Sequence, residues 1–218
     1  MRASRMPVTI GLILAIAMVF VAEIMNGIPF VGVDVPHLPA LARMGAIVPW
    51  LFEQGEYWRL VAAMFLHIGL LHLLLNLWAL YQLGYVFEMM FGSVRFLMIY
   101  FVTGITASIT SAIFLSSEGL SAGASGAVFG ILGALIVAIR RSPVWRHEPW
   151  TRGFTQQLMG WAALNVFIGF TFPGIDNAAH MGGFAAGLVL GLIPHRVPPP
   201  PPGRMVIETK AEERGSSQ

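Results

Sequence analysis

The sequence predicts an all-α membrane protein, a bundle of six transmembrane helices. Three observations predict it: an apolar composition with little charge, six apolar runs of membrane-spanning length, and a one-sided distribution of basic residues. Of the 218 residues, 56% are hydrophobic and 11% charged, and the mean hydropathy is +0.71. Soluble domains carry roughly 25% charged residues, and a chain this short cannot bury so much apolar sequence in one water-soluble core. Lipid is the solvent that suits it. The absence of cysteine excludes disulfides, thiolate metal sites and a cysteine nucleophile. The pI near 9.4 does not point to nucleic acid, because the basic residues are scattered through short loops and form no single patch.

The six runs are approximately Val8–Met25, Leu71–Met90, Phe96–Leu115, Ala122–Ile139, Phe154–Phe172 and Ala178–Ile193, close to the ~20 residues that a spanning helix needs. Leu60–Gly69 is also apolar, and reads either as the start of the second span or as part of the loop before it. Val8–Met25 reads as a retained span rather than a signal peptide. The apolar stretch before Ala15-Ile16-Ala17 is short, and cleavage would leave an odd number of spans. Of the 13 Lys and Arg residues, only Arg43 and Arg59 fall on one side of this map. Arg2, Arg5, Arg95, Arg140, Arg141, Arg146, Arg152, Arg196, Arg204, Lys210 and Arg214 fall on the other. The positive-inside rule then makes both termini cytoplasmic, and the expected setting is a bacterial cell (inner) membrane.

Between the first two spans, the loop from Asn26 to Trp58 carries Pro29, Pro36, Pro39 and Pro49 together with Trp50, Phe52, Tyr57 and Trp58. This amphipathic aromatic mix suits the membrane interface. The expected division is one membrane domain over residues 1–195 and a cytoplasmic tail over 196–218. Pro198–Pro202 make that tail stiff polyproline at first, and the rest of it is expected to be disordered.

Polar residues inside spans are costly and mark function by default. Here they are Glu23, His67, His72, Asn76, Gln82, Glu88, Ser125, Asn165 and His180. The second, fourth and sixth spans all run from outside to inside. His72 and Asn76 lie early in the second, Ser125 early in the fourth and His180 early in the sixth, so three helices bring polar groups to one depth. His72 and Asn76, four apart, share a helix face. Gly126, Gly130, Ala134 and Ala138 form a small-residue ridge on the fourth span, and Ala179, Gly183, Gly187 and Gly191 form another on the sixth. Such ridges let helix backbones approach closely in lipid. Facing each other, they would bring Ser125 within hydrogen-bond reach of His180.

Each residue alone has a plainer reading. A serine beside glycines is usually a packing residue, a lone intramembrane histidine usually bonds a carbonyl or marks an ion path, and Asn165 reads as interhelical glue. Their coincidence at one depth favours chemistry. Serine becomes a nucleophile when a neutral imidazole takes its proton, and Asp176 is poorly placed to complete a triad. The economical reading is a Ser125–His180 dyad, with Phe129 packing against the imidazole in place of an acid. Acyl transfer also needs donors for the developing oxyanion. His72, Asn76 and the Ser125 N–H can supply them, with Gly123 and Gly126 allowing the tight turn that exposes the last.

The chain resembles the rhomboid family of intramembrane proteases from Trp58-Arg59 to about Gly191. The resemblance is carried by His72-Leu-Leu-Leu-Asn76, Gly84-x-x-x-Glu88-x-x-x-Gly92-Ser93, Gly123-Ala-Ser125-Gly126 and Ala179-His180-x-x-Gly183-x-x-x-Gly187. It implies a six-helix bundle with a water-accessible cavity opening outward, a Ser125–His180 dyad, and His72 and Asn76 on the oxyanion side. It further implies a substrate that is a single-span membrane protein cut near the outer end of its span, and structural roles for His67, Glu88 and the Trp58-Arg59 loop. Position 129 can be Tyr in relatives, and Phe keeps the stacking without the hydroxyl. No metal or cofactor is expected. The competing readings are a His-lined transporter, a metalloenzyme using His67, His72 and His180, and a non-catalytic membrane chaperone of the same fold. A transporter would want a carboxylate relay and repeat halves, and a metalloenzyme a carboxylate ligand or an HExxH pattern.

Overall fold

The computed structural model describes residues 6–32, 35–171 and 174–193. The proline-rich tail, with its expected disorder, and Arg2 and Arg5 lie outside the described residues. Those described form helices and loops: α1 (Pro7–Met25), α2 (Leu38–Met44), α3 (Pro49–Glu53), α4 (Arg59–Ala62), α5 (Leu70–Phe91), α6 (Ser93–Phe114), α7 (Ser125–Arg141), α8 (Pro149–Thr171) and α9 (Asn177–Gly191), with short 3-10 turns at Val35–His37 and Ala63–Phe65. The six long helices coincide with the six apolar runs, and the chain is an integral membrane protein. By length and apolarity alone, α1, α5 and α6 qualify as membrane spans. Helices α7 and α9, at 17 and 15 residues, are too short, and α8, at 23 residues, is long enough but less apolar. Helix α7 buries 13 of its 17 residues inside the bundle, where it needs neither full bilayer length nor lipid-facing side chains.

Helices α7 and α9 meet backbone to backbone. A Cβ on Gly183, Gly187 or Gly191 would run into the carbonyl oxygen of Gly126, Gly130 or Ala134 respectively. The two small-residue ridges therefore face each other as the sequence predicts. The opposite faces of Gly126 and Gly130 are taken by Ala107 and Thr103 of α6, so α7 is clamped between two neighbours.

Differences at the element ends have local causes. Leu60–Gly69 belongs to the loop, divided among α4, the Ala63–Phe65 turn and a non-helical stretch. Helix α7 starts three residues later than predicted because the segment before it is extended. Ser121 exchanges backbone hydrogen bonds with Ile47 (2.8 and 3.0 Å), and Gly123 N–H donates to Ala63 C=O at 2.9 Å. In the loop after α1, Trp50, Tyr57 and Trp58 are exposed, as an interfacial surface requires. Arg59 is buried there and anchors the loop: its Nε donates to Glu56 at 2.8 Å, and its Nη1 to the carbonyls of Ala42 and Ala46.

The far end of the bundle, away from Ser125, is tied by Glu88. Its carboxylate accepts Val8 N–H (3.0 Å), Thr9 N–H (2.9 Å), Thr9 Oγ1 (2.7 Å) and Ser93 Oγ (2.6 Å). Helix α1 has no side-chain cap of its own, so a carboxylate from α5 serves its first-turn donors.

Candidate active site

Ser125 is the first residue of α7. That position leaves its backbone N–H without an intrahelical acceptor, and the extended segment before it turns the hydroxyl toward α9. His180 comes one turn into α9, whose start is fixed by Asp176: the carboxylate accepts Ala179 N–H at 2.9 Å and the Ser111 hydroxyl. Asp176 thus holds the helix, not the imidazole. The α7–α9 contact then sets the pair, with His180 Nε2 2.9 Å from Ser125 Oγ. Phe129, one turn below Ser125, stacks on His180 with ring centroids 4.3 Å apart and planes 9° from parallel. Among the described residues His180 Nδ1 is buried without a hydrogen-bond partner, and none of them orients the ring as a third member.

Opposite the serine stands His72. Ile68 N–H donates to its Nδ1 at 3.2 Å. A nitrogen that accepts carries no proton, so the neutral ring holds its proton on Nε2. That edge faces the segment leading into Ser125: a Cβ on Gly123 would stand 2.8 Å from His72 Cε1 and 3.0 Å from Nε2. Gly123 also has φ +141°, a second reason for glycine. Asn76 Nδ2 donates to His72 C=O at 2.9 Å, which occupies one of its two amide hydrogens and leaves the other for the cavity.

All seven predicted site residues, Ser125, His180, His72, Asn76, Gly123, Gly126 and Phe129, line one cavity of about 880 Å³. Among the described residues, no three His, Cys, Asp or Glu side chains are grouped to hold a metal ion.

A family model described as Rhomboid domain matches residues 54–197, well over half of the chain. The chain belongs to the rhomboid family. It is 40% identical to Rhomboid protease GluP of Bacillus subtilis (strain 168), over 82% of this chain and 34% of that protein. It is 38% identical to RHOMBOID-like protein 5 of Arabidopsis thaliana, over 72% of this chain and 50% of the relative. With Rhomboid-like protease 2 of Toxoplasma gondii it shares 30% identity over 80% of this chain and 60% of the relative. The chain spans a third to three-fifths of the length of these relatives.

Two expectations for this rhomboid need correction. Gly126 does not shape the turn before Ser125; it is helical, and its missing side chain admits Ala107 and the α9 backbone. Asn165 is not interhelical glue. Its Nδ2 donates to Trp161 C=O of its own helix at 2.8 Å, because an exposed amide four residues on finds that carbonyl first. Sequence reasoning also left Glu23 and His67 without a connection. His67 N–H donates to Glu23 Oε1 at 2.8 Å. Two buried ionisable residues separated by one long loop were the available signal.

Proposed function

We propose that this rhomboid is an intramembrane serine endopeptidase that cuts single-span membrane proteins near the outer end of the span. The observation that carries the reading is the 2.9 Å contact between Ser125 Oγ and His180 Nε2 in a cavity that also receives His72 and Asn76. His180 Nε2 takes the serine proton as Oγ attacks the scissile carbonyl. For that, the neutral ring must carry its own proton on Nδ1, the atom without a partner. The negative charge that develops on the carbonyl oxygen meets His72 Nε2–H, the Ser125 N–H and the second amide hydrogen of Asn76. His180 then gives its proton to the leaving amine, and the acyl-enzyme is hydrolysed by water activated at the same nitrogen. Phe129 supplies by stacking the orientation that an acid supplies in a triad.

The substrate must present an extended backbone to Ser125. A segment with Gly, Pro or polar residues near the cut, and a small residue such as Ala before it, unwinds at low cost. The eleven-to-two split of basic residues supports cytoplasmic flanks on both sides of a domain over residues 1–195, with 196–218 as a tail, in a bacterial inner membrane.

The test is covalent labelling with a fluorophosphonate, run beside cleavage of a single-span substrate in liposomes. The intact chain is expected to label and cleave, and Ser125→Ala to do neither. Labelling that persists in Ser125→Ala would remove the nucleophile. An intact, folded chain that neither labels nor cleaves would support a non-catalytic membrane chaperone.

A further inference from the structure

Glu23 is the polar residue of the first span that the mechanism leaves unused. It is fully buried, near the end of α1 that lies beside the site. Its Oε1 accepts His67 N–H at 2.8 Å, and its Oε2 is buried without a partner. The next peptide N–H, that of Ile68, is the one that occupies His72 Nδ1 at 3.2 Å. Two consecutive N–H groups of one loop therefore go to a carboxylate on α1 and to an imidazole on α5. The segment after α1 holds the same loop: Leu70 N–H donates to Phe30 C=O at 2.9 Å. Gly69, at φ +88°, lies so close that a Cβ would stand 2.6 Å from Val31 C=O and 2.9 Å from Gly32 N. The His67 ring lies 5.1 Å from that of His72, and its Nδ1 lies 3.2 Å from Phe65 C=O.

We propose that Glu23 is a positioning residue for the oxyanion site: it fixes the loop that keeps Ile68 N–H on His72 Nδ1, and so keeps the His72 proton on Nε2. The proposal rests on the reading of His72 as an oxyanion donor. A neutral imidazole chooses its tautomer by the hydrogen bond made at its other nitrogen. If the loop relaxes and Ile68 N–H withdraws, the alternative tautomer becomes accessible. It presents a lone pair to the oxyanion where a donor is needed, so the ground state survives and the transition state suffers. Glu23→Gln keeps a carbonyl oxygen for His67 N–H, whereas Glu23→Leu removes the acceptor.

The experiment is ¹⁵N NMR of histidine-labelled full-length protein in nanodiscs, assigned with His72→Ala, together with kcat and KM for each variant. Wild type is expected to show an unprotonated Nδ1 and a protonated Nε2 at His72. Glu23→Leu is expected to mix the tautomers and to lower kcat by about tenfold to hundredfold with KM unchanged. Glu23→Gln is expected to restore both signals and rate. In a His72→Ala background, Glu23→Leu is expected to add nothing. If Glu23→Leu does not insert, Glu23→Met, of similar length and also without an acceptor, takes its place. A His72 proton on Nδ1 in wild type would overturn the proposal, as would an unmoved tautomer in Glu23→Leu. So would a Gln variant as slow as Leu, or an equal loss in the His72→Ala background. Full activity of His72→Ala would instead overturn the oxyanion reading, and the NMR signal, which does not depend on proteolysis, separates the two failures.

Discussion

The two ends of this bundle treat buried polar groups in opposite ways. At the far end, Glu88 accepts four hydrogen bonds from α1 and from the start of α6. Around the site, Glu23 Oε2, His67 Nε2, Asn177 Oδ1 and His180 Nδ1 are all buried without a partner, and among the described residues only Trp145 Nε1 shares that condition elsewhere. An incomplete buried polar group costs roughly 1–3 kcal/mol, and four of these five atoms lie at the site end while one, Trp145 Nε1, lies at the far end. The difference separates two uses of polarity in lipid. Saturated groups such as Glu88 join helices, whereas of the unsaturated ones only the His180 imidazole enters the proposed reaction.

Substitutions at the two ends should therefore fail in different ways, and the largest effect belongs to the proposed dyad. Ser125→Ala and His180→Ala are each expected to lower kcat by about 10⁶, and the double variant to be no worse than either, because the pair acts as a unit. Thermal unfolding in the same detergent should be unchanged or slightly improved. Loss of the folded state in either single variant would break the comparison, since it would make the dyad a structural joint.

Next come the proposed oxyanion donors. His72→Ala is expected to lower kcat by about 10²–10³ with little change in KM. Asn76→Ala should lose less, because one of its amide hydrogens is already committed to His72 C=O. If His72→Ala were inert while His180→Ala stayed active, base and donor would have to be exchanged. At the far end, Glu88→Ala should do the reverse. It strands the first-turn donors of α1 and is expected to reduce stability by about 2–3 kcal/mol, read as a lower unfolding midpoint. The kcat of the protein that remains folded should not change, and a kinetic defect there would blur the distinction between the ends.

What the sequence made legible follows the range of each signal. The apolar runs are local, and each returned as a helix with its ends moved by a few residues. The Ser125–His180 contact was legible at longer range because the two ridges repeat every four residues, so aligning Gly126 with Gly183 also aligns Ser125 with His180. Asp176 capping α9 fits its position just before the helix. The Ile47–Ser121 bridge and the link from Glu23 to His67 left no periodic trace. They join residues far apart in the chain through single backbone groups, which any side chain can supply. Gly126 packs as its place in the ridge predicts, and only its second reading, as a turn glycine, failed, because the two needs look the same in sequence.

The smallest effect tests the site end most closely. Phe129 lies flat on His180, with centroids 4.3 Å apart and planes 9° from parallel, and the imidazole has no acid to hold it. Aromatic pairs are worth about 0.5–1.5 kcal/mol beyond the area they bury. Phe129→Leu nearly preserves volume, so the cavity left behind is small, and the lost quantity is orientation. The imidazole gains rotamer freedom, and the fraction poised on Ser125 Oγ falls. A twofold to roughly tenfold decrease in kcat is expected, the kinetic equivalent of that energy, with KM unchanged. Phe129→Tyr keeps the ring face and should keep the rate. In a His180→Ala background, Phe129→Leu should have no further effect on the residual reaction. The measurement is steady-state cleavage in liposomes beside thermal unfolding of the same samples. If Phe129→Leu lowered the unfolding midpoint as Glu88→Ala does and left kcat intact, the stacked ring would be ordinary core packing. The orientation of His180 would then have to come from the α7–α9 backbone contact alone.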